Sequence, residues 1–282
     1  MSDIARSPLD QARLQRAAAS SGMWRRLDVV TETGSTNADL LARSAAGEDI
    51  AGAVLLAEYQ SAGRGRHGRT WVAAPRSQIT MSVGVDVAGV APAAWGWIPL
   101  LSGVAVVDTV REIHGVSPTL KWPNDVLVGS AKLAGILAEV ATPAPVVIVG
   151  IGLNVTLTAD EAPDSVATSL AMLGVTDIDR SELTARLLAN VAARFEHWKS
   201  LGGNDAQLAT DYTSMSSTLS TEVRVLLPGG REITGVACSI DDSGRLLMND
   251  GDSVVPISAG DITHLRPASG DQRNSARDIT TR

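Results

Sequence analysis

The segment Gly-Arg-Gly-Arg-His-Gly-Arg-Thr-Trp, residues 63–71, packs three glycines, three arginines and a histidine into nine positions. Guanidinium forks, with backbone N–H groups that glycine leaves accessible, are the chemistry that gathers around a phosphate or a carboxylate. The surroundings sharpen this. Residues 59–85 contain no Asp or Glu but four arginines, Arg64, Arg66, Arg69 and Arg76, so the local balance is +4 on a chain of net charge −7. A solvated basic turn is the plain alternative. Glycine placed between arginines argues against it, because each glycine raises the entropy that folding must remove.

Three further sets could carry chemistry. In Lys121-Trp-Pro-Asn124-Asp125, followed by Lys132-Leu-Ala-Gly135, the Asn-Asp pair is ordinary turn chemistry. Lys132 is different: among apolar neighbours it must snorkel or meet an anion, since an unpaired buried ammonium is too costly. We favour the anion, with Asn124 and Asp125 at a strand end and Lys132 starting the next strand, all facing one pocket. Gly150-Ile-Gly152-Leu-Asn154 lets a ligand approach the backbone or marks a strand-end turn, and alone the two weigh equally. Ser35-Thr36-Asn37 reads as a helix N-cap, and Gln60 alone carries nothing.

Two familiar patterns fail. Residues 63–70 fit a P-loop with arginine in place of lysine, but that loop needs a helix straight after its second glycine, and Pro75 disfavours one. A P-loop-like kinase is therefore only a remote alternative. The run from Gly150 to Asn154 lacks the third glycine and following helix of a dinucleotide fingerprint.

These residues need elements to hold them. Apolar runs predict strands over 27–33, 53–57, 79–85, 120–122, 132–140 and 146–155. Helices are expected after Ser35 (ending at Gly47), over 93–114 as a buried segment, and over 181–201, where Leu183, Leu187, Leu188, Val191, Phe195 and Trp198 form one stripe. From 222 onward, short apolar runs alternate with PGG, DDSG and NDGD turns, as in a small antiparallel barrel. The expected division is a lead-in (1–22), a catalytic domain (23–215), a small β-barrel (216–267) and a disordered tail (268–282).

Composition bounds the rest. With 282 residues, 44% hydrophobic, the chain can bury a large core without staples. Its acidic balance argues against a general nucleic-acid or membrane-surface binder. A single cysteine, Cys238, forbids an intrachain disulfide. No apolar run approaches the roughly 18 residues that span a bilayer, and no secretory signal opens the chain. A cytoplasmic protein is expected.

In order, TGSTNADLL, AEYQSAGRGRHGRTW, LKWPNDVLV, KLAGILAEV and GIGLNV resemble the motifs of the biotin protein ligases, and among them those of actinobacterial and mycobacterial type. The resemblance implies an α+β fold with a mixed or antiparallel sheet of the biotin/lipoate ligase type, followed by a small SH3-like β-barrel. It implies ATP-dependent formation of biotinyl-5′-AMP, then transfer of biotin to a lysine of a biotin carboxyl carrier domain of acyl-CoA or pyruvate carboxylases, with Mg²⁺ required. The first motif is reached by Thr33, which leaves no room for the DNA-binding domain of bifunctional members, so no DNA partner is expected; a homodimer is allowed for. By the family pattern Ser35, Thr36, Asn37 and Gln60 meet biotin, and Arg64, Gly65 and Arg66 wrap biotin and its acyl-phosphate link. Lys132 is the catalytic cation beside Arg64 and Arg66, with Gly135 and Gly152 lining the biotin pocket. Arg66, Arg69, Trp71, Asn124, Asp125, Lys132 and Asn154 are assigned to ATP, and Asp125 either holds Mg²⁺ or orients the carrier lysine. Within the superfamily, a lipoate or octanoate ligase is the alternative, and outside it a non-catalytic carrier-binding protein.

Overall fold

The computed structural model describes residues 6–265, apart from positions 114, 144 and 228. The tail expected to be disordered, 268–282, lies outside the described residues, as do positions 1–5 of the lead-in and His114 at the end of the expected buried helix.

Continuous apolar runs make the centre of a seven-stranded sheet because both of its faces are covered. In β2 (Ala53–Ala57) every residue is buried, and alternation divides them: Leu55 packs with Leu40 and Ile148 on one face, Val54 and Leu56 join the main core on the other. The sheet order is β1-β2-β3-β7-β6-β5-β4, with β1 (Arg26–Val30), β3 (Gln78–Asp86), β4 (Pro118–Lys121), β5 (Asp125–Val128), β6 (Ala131–Ala141) and β7 (Val146–Asn154). Among the described strands, β1 and β2 alone pair in parallel.

Helix α2 (Thr36–Ala45) covers part of one face; its N-cap is Ser35, as expected. The other face carries α3 (Trp97–Arg111) and α4 (Arg180–Ser200), while α1 (Gln11–Ser20) packs on α4 and β1. The lead-in is thus partly helical, capped by the Asp10 side chain. Two elements go beyond the sequence reading: β5, which inserts a strand between Asn124 and Lys132, and α5 (Ala206–Met215). Contrary to expectation, an apolar segment of bilayer-spanning length is present. The segment Pro92–Arg111 is long and apolar enough to cross a bilayer by length and composition, but it is mostly buried inside this domain.

A second sheet, all antiparallel, runs β11-β10-β9-β8-β12, with β8 (Glu222–Leu226), β9 (Glu232–Ile240), β10 (Leu246–Asn249), β11 (Val254–Ile257) and β12 (Asp261–His264). It is the expected small SH3-like module. It docks through close backbone approach: a Cβ on Gly96 would lie 2.1 Å from the Ser243 carbonyl oxygen. The indoles of Trp97 and Trp122 donate to the carbonyls of Asp242 and Gly244.

One ion pair ties the cleft end of the first sheet together. Arg180 and Glu58, with side chains 6% and 7% exposed, meet at 2.5 Å. Arg180 also donates to the carbonyls of Gln78 and Ser7, and Glu58 accepts from the Leu9 amide. Arg180→Leu strands a buried carboxylate. It should cost about 3–5 kcal/mol and lower Tm by on the order of 10 °C, read by thermal denaturation.

A cleft floored by small residues

Strand alternation decides what the cleft floor is made of. Opposed residues in the ladders point the same way, so Gly135, Leu137 and Glu139 of β6 share a face with Gly152, Gly150 and Ile148 of β7. The β7 residues lie in turn opposite Thr80, Ser82 and Gly84 of β3. Gly150 and Gly152 therefore sit inside a strand, not at a strand-end turn. Their smallness has named beneficiaries. A Cβ on Gly152 would come within 2.5 Å of the Trp71 indole and one on Gly135 within 2.9 Å, while one on Gly150 would reach 2.4 Å from Asn37 Oδ1. The floor is low so that Trp71 and Asn37 can lie on it.

Every residue assigned by family pattern lines this one cleft of about 590 Å³. Ser35, Thr36 and Asn37 form one wall at the N-terminus of α2, where the helix dipole is positive. Gln60 lies beside them: its Oε1 accepts from the Thr36 amide (2.8 Å) and hydroxyl (3.0 Å). Ser82, which sequence reasoning passed over, stands 2.6 Å from both Thr36 Oγ1 and Asn37 Oδ1. The alternation Gln78-Ile-Thr80-Met-Ser82-Val was the signal that could have found it.

The arginine-glycine loop roofs the cleft. It closes on itself through Gly65 N to Arg69 O (2.7 Å) and Trp71 N to Gly63 O (2.8 Å), with one 3₁₀ turn at Arg66–Gly68 and no helix after it. The P-loop alternative lacks its helix here. The three arginines repel one another, and partners on other elements offset that repulsion. Arg69 pairs with Asp261 of β12 at 2.5 Å, and Arg66 donates to the Gly260 carbonyl and to Asn124 Oδ1, both at 3.4 Å. Burial pulls the Arg66 guanidinium below its usual value, Asp261 and Asp125 push it back up, and Arg69 works with burial. Arg64, beside the bridge to Thr70, is exposed at the mouth.

The far wall holds Lys132. Its ammonium lies 2.5 Å from Asp125 Oδ1, an ionic contact rather than an aligned hydrogen bond, and 5.4 Å from the Trp71 ring centroid. The anion expected near Lys132 is thus, here, the protein's own. Asn124 is fixed by donating to the Ile136 carbonyl. Asn154 lines the cleft with its amide already engaged, accepting from Gln78 and donating to the Thr168 carbonyl. Gln78 also accepts from the Trp71 indole N–H at 2.8 Å, which makes it the hinge between roof and floor. Among the described residues no group of three or more His, Cys, Asp or Glu converges as a metal site.

A cation-roofed cleft over a glycine floor, with a second small β-sheet closing one side, is the architecture of the biotin/lipoate ligase class. Residues 31–155 match the Biotin/lipoate A/B protein ligase family, and residues 220–265 match the Biotin protein ligase C terminal domain. Over 269 residues the chain is 53% identical to the biotin–[acetyl-CoA-carboxylase] ligase of Mycobacterium tuberculosis, covering 94% of this chain and 98% of that one. It is 31% identical to the bifunctional ligase/repressor BirA of Escherichia coli, covering 83% and 72% respectively. The solved biotin protein ligase of Aquifex aeolicus in complex with biotin and ATP superposes with a TM-score of 0.73 at 26% identity, over 86% of this chain and all of that one. The chain belongs to the biotin protein ligase family.

Gly152→Ala forces the Trp71 indole off the floor while leaving the strand intact. It should lower kcat/KM for ATP at least tenfold with little change in Tm, as measured by steady-state kinetics and thermal denaturation.

Proposed function

We propose that this cleft joins biotin to ATP and then delivers biotin to a protein lysine, with the roles divided by position along β6. Lys132 opens that strand and Glu139 lies seven residues on, a separation of roughly 20 Å at a strand's rise per residue. One end of the floor is rich in cations; the other is a relay of amides and hydroxyls. Biotin suits such a cleft, with its ureido ring at the relay of Ser35, Thr36, Asn37 and Gln60 and its carboxylate toward Arg64, Arg66 and Lys132.

In the first step a carboxylate oxygen of biotin attacks the α-phosphorus of ATP and pyrophosphate leaves with the electrons of the broken P–O bond. Arg66 and Lys132 stabilise charge on the α-phosphate as it develops. Arg69 reaches the outer phosphates by exchanging Asp261 for them, and the indole of Trp71 offers a face to adenine. In the second step the carrier lysine's neutral amine attacks the acyl carbonyl, AMP departs with the electrons of the broken C–O bond, the nitrogen gives up a proton to water, and an amide remains. Asp125, held against Lys132, is well placed to orient that amine. Mg²⁺ belongs to the proposal as an ion carried by the phosphates of ATP, because Asp125 is already paired and, among the described residues, has no cluster of carboxylates around it. The acceptor is the carrier domain of a biotin-dependent carboxylase, and the site of action is the cytoplasm, where ATP is supplied.

The observation that carries this reading is convergence. Fifteen residues scattered from position 35 to position 154 line a single cleft. Biotin-dependent exchange of labelled pyrophosphate into ATP tests it, with lipoate and octanoate as controls that should give none. Lys132→Ala should cut exchange by on the order of 10²- to 10³-fold with the fold intact. Arg66→Ala should slow adenylation and also release biotinyl-AMP faster, read by filter-binding of the labelled intermediate. Wild-type rates in both steps would remove Arg66 from the roof.

A further inference from the structure

The relay at the end of the cleft away from Lys132 terminates in a carboxylate to which no role has yet been given. We propose that Glu139 is a positioning residue that sets the donor–acceptor polarity of the biotin-recognition wall, and so its selectivity for a group with N–H donors beside a carbonyl. The proposal rests on the biotinylation reading above.

The orientation of the Asn37 and Gln60 amides follows from the groups they face. Asn37 Nδ2 lies 2.8 Å from Glu139 Oε2 and 3.2 Å from the Leu137 carbonyl oxygen. A carboxylate and a carbonyl accept only, so the amide nitrogen of Asn37 must face them, and both its hydrogens are used. Oδ1 is thereby turned toward Ser82 Oγ and the open floor at Gly150. At the other end, Gln60 Oε1 already takes two donors from Thr36. That oxygen is saturated, so the Gln60 amide nitrogen is the end left to donate, beside Gly63. The wall then offers one donor at Gln60, with acceptor lone pairs on Ser82, on Thr36 and on the Asn37 carbonyl. A flat urea or cyclic amide complements that set.

Glu139 belongs to no ion pair among the described residues, and its one side-chain partner there is Asn37. A half-buried carboxylate held by a single neutral donor suits orientation better than stability. Remove Glu139, and only the Leu137 carbonyl holds the Asn37 amide; a flip then presents an N–H where the wall had offered a carbonyl, while the Ser82 hydroxyl turns to Thr36 Oγ1.

The test is biotin-dependent pyrophosphate exchange with four variants whose folding is checked by thermal denaturation. Glu139→Ala should raise KM for biotin at least tenfold while kcat and KM for ATP stay within threefold of wild type. Glu139→Gln, whose carbonyl oxygen can accept the same bond, should stay within threefold throughout. Asn37→Asp puts a second carboxylate against Glu139 and should lose at least tenfold in kcat/KM for biotin. Asn37→Asp/Glu139→Gln restores a donor–acceptor pair with reversed direction at that contact and should recover part of the loss, the Leu137 carbonyl still facing an acceptor. The proposal is overturned if Glu139→Ala keeps the wild-type KM, if Glu139→Gln is as impaired as Glu139→Ala, or if the double variant is no better than Asn37→Asp. Wild-type protein that gives no exchange with biotin strikes the biotinylation reading; active wild type with any of those three results strikes only the role of Glu139.

Discussion

Joining a carboxylate to a phosphate requires two anions to approach within bonding distance. At ~4 Å and an effective dielectric near 20, each pair of unit charges costs about 4 kcal/mol, more than loose surface lysines can offset. The cations must stand in place before the ligands arrive, and cations gathered in advance repel one another. This chain answers with internal counter-anions and acceptors. Lys132 has Asp125, Arg69 has Asp261, and Arg66 leans on Asn124 and the Gly260 carbonyl. Each partner is one that a phosphate oxygen can replace.

Two of those partners, Asp261 at the start of β12 and Gly260 just before it, belong to the second module. The small module therefore supplies part of the electrical balance of a roof that the first sheet begins, which gives it a reason to be fixed firmly. The reciprocal approach of Gly96 and Gly244 and the two indole bonds provide that fixing. Beneath the roof, mid-strand glycines in β6 and β7 forgo side-chain packing so that Trp71 and Asn37 can lie flat, a trade that sheet interiors accept where something must come close to the backbone.

Much of this was legible in the sequence. The run Ala53–Ala57 is apolar at every position because both faces of β2 are covered, and it was read as a strand with those same bounds. Ser35 declared a helix start through its cap chemistry, and the stripe from Leu183 to Trp198 declared α4. What stayed hidden depended on distant partners. Helix α5 reads AQLATDYTSM, too polar to announce itself, and is held by burying Leu208, Tyr212 and Met215 against elements far away in sequence. The four residues of β5 follow a turn signal and look like its continuation. Within the cleft, residue types with charge or glycine punctuation stood out. Ser82, Gln78, Asp261 and Glu139 did not, because each acts through a neighbour that only the folded chain supplies.

The central claim is that Arg66 and Lys132 let two anions share one cleft, and the most direct test is the coupling between them. Calorimetric titration of biotin with and without α,β-methylene-ATP, which resists transfer at the α-phosphate, measures it, and linkage requires the same value from either order of addition. In the wild-type protein each ligand should leave the other's affinity unchanged or stronger. In Arg66→Gln/Lys132→Gln, each should weaken the other by about tenfold or more, and coupling that is the same in both proteins would contradict the account.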